Sequence, residues 1–437
     1  MARKSCVELI KLNMELPLRN SISLAIAIIL AMLAPTVWAQ DQNSFIEIKG
    51  SVYDTSNNDP LVFADIIVVD TNIATITNTE GEFLLKIPNA FKNASVTIQF
   101  LGYADITVTV LELQKTSSIG LKPSFTQLDE IKISRPKNAE SLVRLMLEKS
   151  GVNYINDNVT MTAFYRETIK KRRTNASLSE AVIEVQKQAY TNRKRDAVNI
   201  VKVRKSTNYS KLDTIALKLQ GGPFSNLYAD IIKYPEYIFT EDNLSQYIFT
   251  FDTSTYINDQ LVYVVNFKQK PELKIPLYYG KLFIDSDSFA LTSAIYSLNV
   301  ENRALASELF IRKKPNKVHV YPTEANYRVN YRSSNGKWYF SYSNILLSFK
   351  VNWKGRLFNS YYTLNSEMAI TNWKVSQEKF TKPEDKNLIL KPTSILIDEA
   401  SGFSDPEFWG QYNIIEPEKS IESAIKKINK QLEKSSS

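Results

Sequence analysis

Between Ile48 and Tyr103, apolar and polar residues alternate in short runs broken by turn residues. Asn57-Asn58-Asp59-Pro60 is turn chemistry, and Glu80-Gly81 precedes the run Phe83–Ile87. Ile66–Val69 is continuously apolar, as in a strand covered on both faces, whereas Val96, Ile98 and Phe100 alternate. This pattern predicts a small β-sandwich over roughly Phe45–Ser134. The period then changes. Leu142, Val143, Leu145, Met146 and Leu147 form a helical stripe, which predicts a helix over 139–150 with Asn138 as N-cap and Gly151 as its stop.

From about Val159 to Trp373 the alternation returns in longer runs. Strands are expected at Thr160–Arg166, Ser179–Gln186, Tyr247–Phe251, Leu261–Phe267, Gly280–Asp285, Leu291–Leu298, Ser307–Arg312, Tyr327–Arg332, Trp338–Leu347 and Ser366–Trp373. Gly221-Gly222-Pro223 marks a loop. Charged residues on one face and aromatic residues on the other predict one large curved antiparallel sheet, an open half-barrel around the helix. The fold class is therefore mainly β: an N-terminal transthyretin/Ig-like sandwich, then the half-barrel-like sheet, with few helices. Near the C-terminus Ile421, Ile425, Ile428 and Leu432 make an apolar stripe opposite Lys426, Lys427, Lys430 and Lys434. This amphipathic helix either docks on the sheet or touches a membrane or partner.

The first residues add a compartment. Arg3, Lys4, Lys11 and Arg19 precede the apolar run Ser21–Leu33, and Val37-Trp38-Ala39 offers a cleavage site, so residues 1–39 read as a secretory signal peptide. Cleavage removes the single cysteine, Cys6, and leaves no disulfide, no thiol chemistry and no lipid-anchored N-terminus. It leaves 50 basic and 44 acidic residues, a net charge of +6. Twelve Lys/Arg against three Asp/Glu fall between Ile169 and Lys211. Lys170, Lys171, Arg172 and Arg173, with Arg193, Lys194 and Arg195, are the candidate contacts for an anionic surface. In an exported chain that surface is an acidic glycan or anionic lipid rather than nucleic acid, and an envelope protein is the other expected partner. No transmembrane span is expected after cleavage.

Catalytic chemistry is thin. A zinc peptidase site needs two histidines and a carboxylate, and the chain has one histidine, His319, in the alternating stretch Lys317–Tyr321. There is no nucleophile elbow, no phosphate-cradling loop and no dinucleotide fingerprint. Asp285-Ser286-Asp287 and Asp398-Glu399 are the tightest carboxylate pairs, and a carboxylate-based, glycosidase-like hydrolase is the alternative they keep open. The expectation is no catalytic residue, no metal ligand and no cofactor. Tyr278-Tyr279, Tyr361-Tyr362, Trp338-Tyr339, Trp353 and Trp373 either fill the core or line a ligand concavity.

The segment from Ile48 to Tyr103, with Thr77-Asn78-Thr79-Glu80-Gly81 and Phe100-Leu101-Gly102-Tyr103, resembles the carboxypeptidase-like regulatory domain, a transthyretin-like sandwich common in bacterial envelope proteins. The family usually has Thr-Asp and Asp-Gly where this chain has Thr77-Asn78 and Glu80-Gly81. Leu128, Asp129, Glu130 and Ile131 resemble the TonB-box-like segment that follows this sandwich in outer-membrane receptors. Ala163–Glu167 and Phe408–Ile415 resemble stretches of uncharacterised β-rich envelope proteins. The resemblance implies four parts: the signal peptide, the sandwich (40–134), the half-barrel (135–380) and a C-terminal extension (381–437). With the signal peptide and the thin catalytic chemistry, the expectation is a non-catalytic ligand- or partner-binding protein of the periplasm or outer-membrane surface of a Gram-negative bacterium. An outer-membrane β-barrel component is a further alternative, opposed by charges in Ala304–Lys314 read as a strand and by the helical, serine-ended C-terminus. The linker Arg135-Pro136-Lys137 predicts a sandwich that makes few contacts with the rest.

Overall fold

The alternating N-terminal segment forms seven short strands: β1 (Phe45–Asp54), β2 (Asp65–Val68), β3 (Ala74–Ile76), β4 (Glu82–Pro88), β5 (Ser95–Gln99), β6 (Ile106–Thr109) and β7 (Ser118–Leu121). One sheet has the order β4-β1-β7, with β1 and β7 parallel, and the other β3-β2-β5-β6. Ile48, Val52, Ile66, Phe83, Leu85 and Ile98 fill the space within the sandwich. The structure, a computed structural model, describes residues 44–116, 118–124, 137–207, 221–240, 242–257, 260–311, 316–355, 357–376, 388–396, 407–421 and 423. The signal segment, Leu128–Ile131, Asp398-Glu399 and the helix stripe beyond Ile421 lie outside the described residues.

Twelve further strands make a single sheet: β8 (Val159–Lys171), β9 (Thr174–Lys187), β10 (Ala197–Thr207), β11 (Tyr247–Phe251), β12 (Thr255–Ile257), β13 (Gln260–Gln269), β14 (Tyr278–Asp285), β15 (Leu291–Leu298), β16 (Val318–Ser334), β17 (Lys337–Trp353), β18 (Ser360–Val375) and β19 (Ile389–Leu390). Its order is β11-β13-β14-β15-β16-β17-β18-β8-β9-β10-β19, with β12 beside β13. Every pairing is antiparallel. The edges β11 and β19 do not pair with each other, so the sheet is open and not a closed barrel. β8, first in the chain, sits mid-sheet beside β18 and joins two hairpin runs.

The central strands are buried on both faces. One face carries the helix Ala139–Glu148 and the segment Phe224–Phe239, whose Leu142, Met146, Leu227 and Ile231 pack on Met161, Tyr165, Ile183 and Met368. The other face meets the sandwich and the segment 407–416: Ile76 and Leu84 share a core with Phe164, Val182, Ala369, Trp409 and Ile415. Double coverage explains why β8 is buried almost continuously rather than at every second position. It also reverses the expectation of few contacts across the linker, because sandwich and sheet belong to one compact unit, Phe45–Ser437.

Two local expectations are corrected. Arg303–Phe310 is a helix, not a strand. Asn302 caps it, accepting from the Leu305 N–H at 3.3 Å, and Ala304, Leu305 and Ala306 favour helix. The argument from lipid-facing charges in that stretch therefore lapses, and the open sheet is what stands against a barrel. At the earlier helix Asn138 is the N-cap, accepting from Ser141 N–H at 2.7 Å. The helix ends at Glu148, and Gly151 lies inside a second helical turn, Ser150–Asn153, rather than stopping the first.

Candidate ligand-binding cleft

Where sandwich and sheet diverge they leave a cleft of about 250 Å³. The sandwich side is Phe63, Asp65 and Ile67 from β2 and its approach, with Gln99 at the end of β5 and Phe100 just after it. The sheet side is Ser293 of β15, Arg328, Asn330 and Arg332 of β16, and Trp338. Alternation along β16 sends Val329 and Tyr331 into the opposite core and leaves 328, 330 and 332 facing the sandwich. Phe63 adopts φ +65°, an uncommon conformation for a bulky residue. That backbone places its ring 5.0 Å from the Tyr342 ring and 5.5 Å from the Arg328 guanidinium.

The cleft holds charge that the protein does not fully satisfy. Asp65 Oδ1 lies 3.4 Å from Arg332 Nε, yet neither atom has a hydrogen-bond partner. Arg328 Nε and the Tyr342 hydroxyl are also buried without one. Burial raises the Asp65 pKa, against the opposing pull of Arg332 and Arg328. Burial lowers that of Arg328, with Tyr342 and Asp65 acting the other way.

Elsewhere the buried ions are well paired. Arg166 donates to Glu180 at 2.7 Å, to Glu367 at 3.1 Å and to the Ile415 carbonyl at 2.8 Å. Arg204 donates to the second Glu180 oxygen at 2.8 Å and stacks 4.6 Å from the Trp409 ring. Burial pushes the Glu180 pKa up, but Arg166 and Arg204 outweigh it and hold the carboxyl below its ordinary value. On the opposite face Lys187 bridges Asp196 at 3.1 Å and Asp230 at 2.7 Å, and Asp230 also accepts from Tyr190 and Tyr331. Glu167 is different. It accepts from the Tyr165 hydroxyl at 2.6 Å, and burial pushes its pKa up to about 7.

The residues singled out from the sequence are scattered. Lys170 and Lys171 end β8, and Arg172 and Arg173 form the exposed turn into β9. Arg193, Lys194 and Arg195 are exposed beyond the other end of β9, whose 14 residues span roughly 45 Å. Lys187, between them in sequence, and Arg204, beyond both, are consumed by internal ion pairs. The basic segment is therefore two separate clusters. Asp285 accepts from Ser288 N–H and Oγ in its own hairpin turn, and His319 is exposed on β16. Tyr278, Tyr339, Tyr362, Trp353 and Trp373 pack into or against cores, whereas Tyr279 borders an open groove of about 650 Å³ lined by Lys268, Lys274, Glu301 and Glu324. Among the described residues no three His, Cys, Asp or Glu side chains gather as a metal-binding group. Sequence reasoning missed the cleft. Its signal was Arg328-Val329-Asn330-Tyr331-Arg332, two arginines on one face of a strand otherwise read as solvent-facing.

Residues 48–133 match the family model of the CarboxypepD_reg-like domain. The sandwich is similar to that domain family over this stretch. Solved structures similar to the chain include an outer membrane lipoprotein-sorting protein domain from Vibrio parahaemolyticus, with 9% identity and a TM-score of 0.25, covering 56% of this chain and 95% of that one. A DUF1329 family protein from Desulfovibrio piger has 10% identity and a TM-score of 0.23, covering 56% and 96%. Lipovitellin has 9% identity and a TM-score of 0.24, covering 52% and 26%. At these scores the three lend no ligand to this chain. No curated protein matches it. The cleft is formed between the sandwich and the large sheet, and no helix among the described residues is long and apolar enough to cross a membrane.

Proposed function

We propose that this chain is an exported, non-catalytic envelope protein that binds a ligand in the cleft between its CarboxypepD_reg-like sandwich and its open sheet, at the periplasm or the outer-membrane surface. One observation carries the reading. Asp65, Arg328 and Arg332 all contribute buried polar atoms without hydrogen-bond partners to this cleft, whereas the Arg166 and Lys187 clusters are internally paired. Buried polar groups are normally satisfied, and a concentration of exceptions at a cavity supports a site completed from outside. The basic N-terminal residues, apolar run and Val37-Trp38-Ala39 support export.

The test is native mass spectrometry of the mature protein after incubation with a small-molecule extract of bacterial envelope. A retained molecule is expected, and it should be lost in Ile67→Trp, which fills the cleft. Equal retention by Ile67→Trp would move the site elsewhere. Turnover of a glycan, abolished by neutralising one carboxylate, would replace this reading with the hydrolase.

A further inference from the structure

We propose that the cleft recognises an oxyanion: a small molecule whose carboxylate or phosphate sits against Arg328 and Arg332 while its apolar body lies along Phe63, Phe100 and Trp338. This rests on the binding function proposed above and adds the ligand's chemistry. The charge count points to it. Two guanidiniums face one carboxylate, Asp65, so the cleft carries an excess of one positive charge. A guanidinium stays protonated at any working pH, so burial cannot neutralise it.

The geometry agrees. Arg332 is 6% exposed and has spent Nη2 on the Ile370 carbonyl at 3.3 Å, leaving Nε with its 3.4 Å ion pair to Asp65 and no hydrogen bond. Arg328 stacks on the Phe63 ring, and its Nε has no acceptor. Arg166 and Arg204, on the same face of the same sheet, show what a structural arginine looks like here: each is hydrogen-bonded to a buried carboxylate. Planar guanidinium donors match carboxylate and phosphate oxygens. The volume, about 250 Å³, lies below that of most drug-sized sites, which run to ~300–1,000 Å³, and so favours a compact ligand.

Calorimetry of the mature protein with phenyl phosphate, benzoate and the uncharged benzyl alcohol tests the class. One-site binding of an anionic probe, with benzyl alcohol much weaker, is expected. Arg328→Met and Arg332→Gln should each weaken it on the order of 30-fold. Sedimentation with vesicles containing phosphatidic acid, against phosphatidylcholine alone, separates sources. Vesicle binding without phenyl phosphate binding, lost in Arg328→Met, would assign the oxyanion to a lipid headgroup. A second measurement guards against misfolding. Arg328→Met replaces an incompletely paired buried charge by an apolar side chain, so the ligand-free variant should melt no lower than the parent. A marked fall in its melting temperature would make Arg328 structural and overturn the proposal. Benzyl alcohol binding as tightly as phenyl phosphate, with Ile67→Trp abolishing both, would refute the oxyanion while sparing the cleft. Failure of all probes and of the envelope extract would sink both.

Discussion

Glu167→Gln should stabilise this protein, and increasingly so as pH rises from about 4.5 to about 7. Glu167 lies on β8 among buried neighbours, with the Tyr165 hydroxyl as its hydrogen-bond donor. Burial pushes its pKa from 4.5 to about 7. The folded state therefore holds a proton more tightly than the unfolded one. The carboxyl's penalty is absent below 4.5, grows as pH rises, and is complete above about 7. At ~1.4 kcal/mol per pH unit, the ionised carboxylate costs about 3 kcal/mol at pH 8 and under about 1 kcal/mol at pH 5. Glutamine keeps an acceptor for Tyr165 and cannot ionise. Urea unfolding followed by tryptophan fluorescence should show the variant more stable by up to about 3 kcal/mol at pH 8 and close to the parent at pH 5. A variant less stable at pH 8, or a difference that does not change between pH 5 and 8, would show that the carboxylate is satisfied in its folded place and refute the reasoning.

Glu180→Gln should do the opposite. It leaves Arg166 and Arg204 buried without the carboxylate they share, and a loss of about 3–5 kcal/mol at pH 7 is expected by urea unfolding. Because the Glu180 pKa is held down, its contribution is present above about 4.5 and is lost as pH falls further, so the variant's deficit should shrink in acid. A fragment of residues 40–135 should be insoluble or unfold without cooperativity, since Ile76 and Leu84 lose their cover; a sharp cooperative melt would show that the sandwich has a sufficient core. Reversing Lys170, Lys171, Arg172 and Arg173 to glutamate should leave the melting temperature nearly unchanged and weaken low-salt association with anionic vesicles, and indifference to both salt and reversal would remove that cluster from consideration.

Much of the fold is legible where local rules and burial agree. Tyr247–Phe251 and Leu291–Leu298 form strands with the expected bounds, and Asn138 caps the helix it precedes. Expectation failed at Arg303–Phe310, where Leu305, Ala306 and Leu309 fit either period and capping by Asn302 decides for helix. Ala197–Thr207 was missed as a strand because its lysines and an arginine read as surface, while Arg204 is in fact folded onto Glu180. The site was illegible for a related reason. Whether Arg328 and Arg332 face water or a cleft depends on a sandwich more than 200 residues earlier in the chain, and no local pattern encodes that meeting.

Asn413 has a bearing on how the molecule is made. Its side-chain amide accepts from Lys86 N–H at 2.6 Å and donates to the Lys86 carbonyl at 3.0 Å, standing in for a neighbouring strand across 327 residues of sequence. Thr75 and Asn78 donate in turn to the carbonyls of Ile414 and Glu416. The chain emerges N-terminus first, so β3 and β4 are finished long before the residues that complete them, and closing so long a loop is slow. Until residues 413–416 arrive, a half-made copy shows Ile76, Leu84 and Phe164 to its surroundings. Ribosomal stalling or clipping before residues 413–416 would thus leave a long species that proteases and chaperones recognise as unfinished. A sheet edge near the start of the sandwich is thus finished by residues more than 300 positions later.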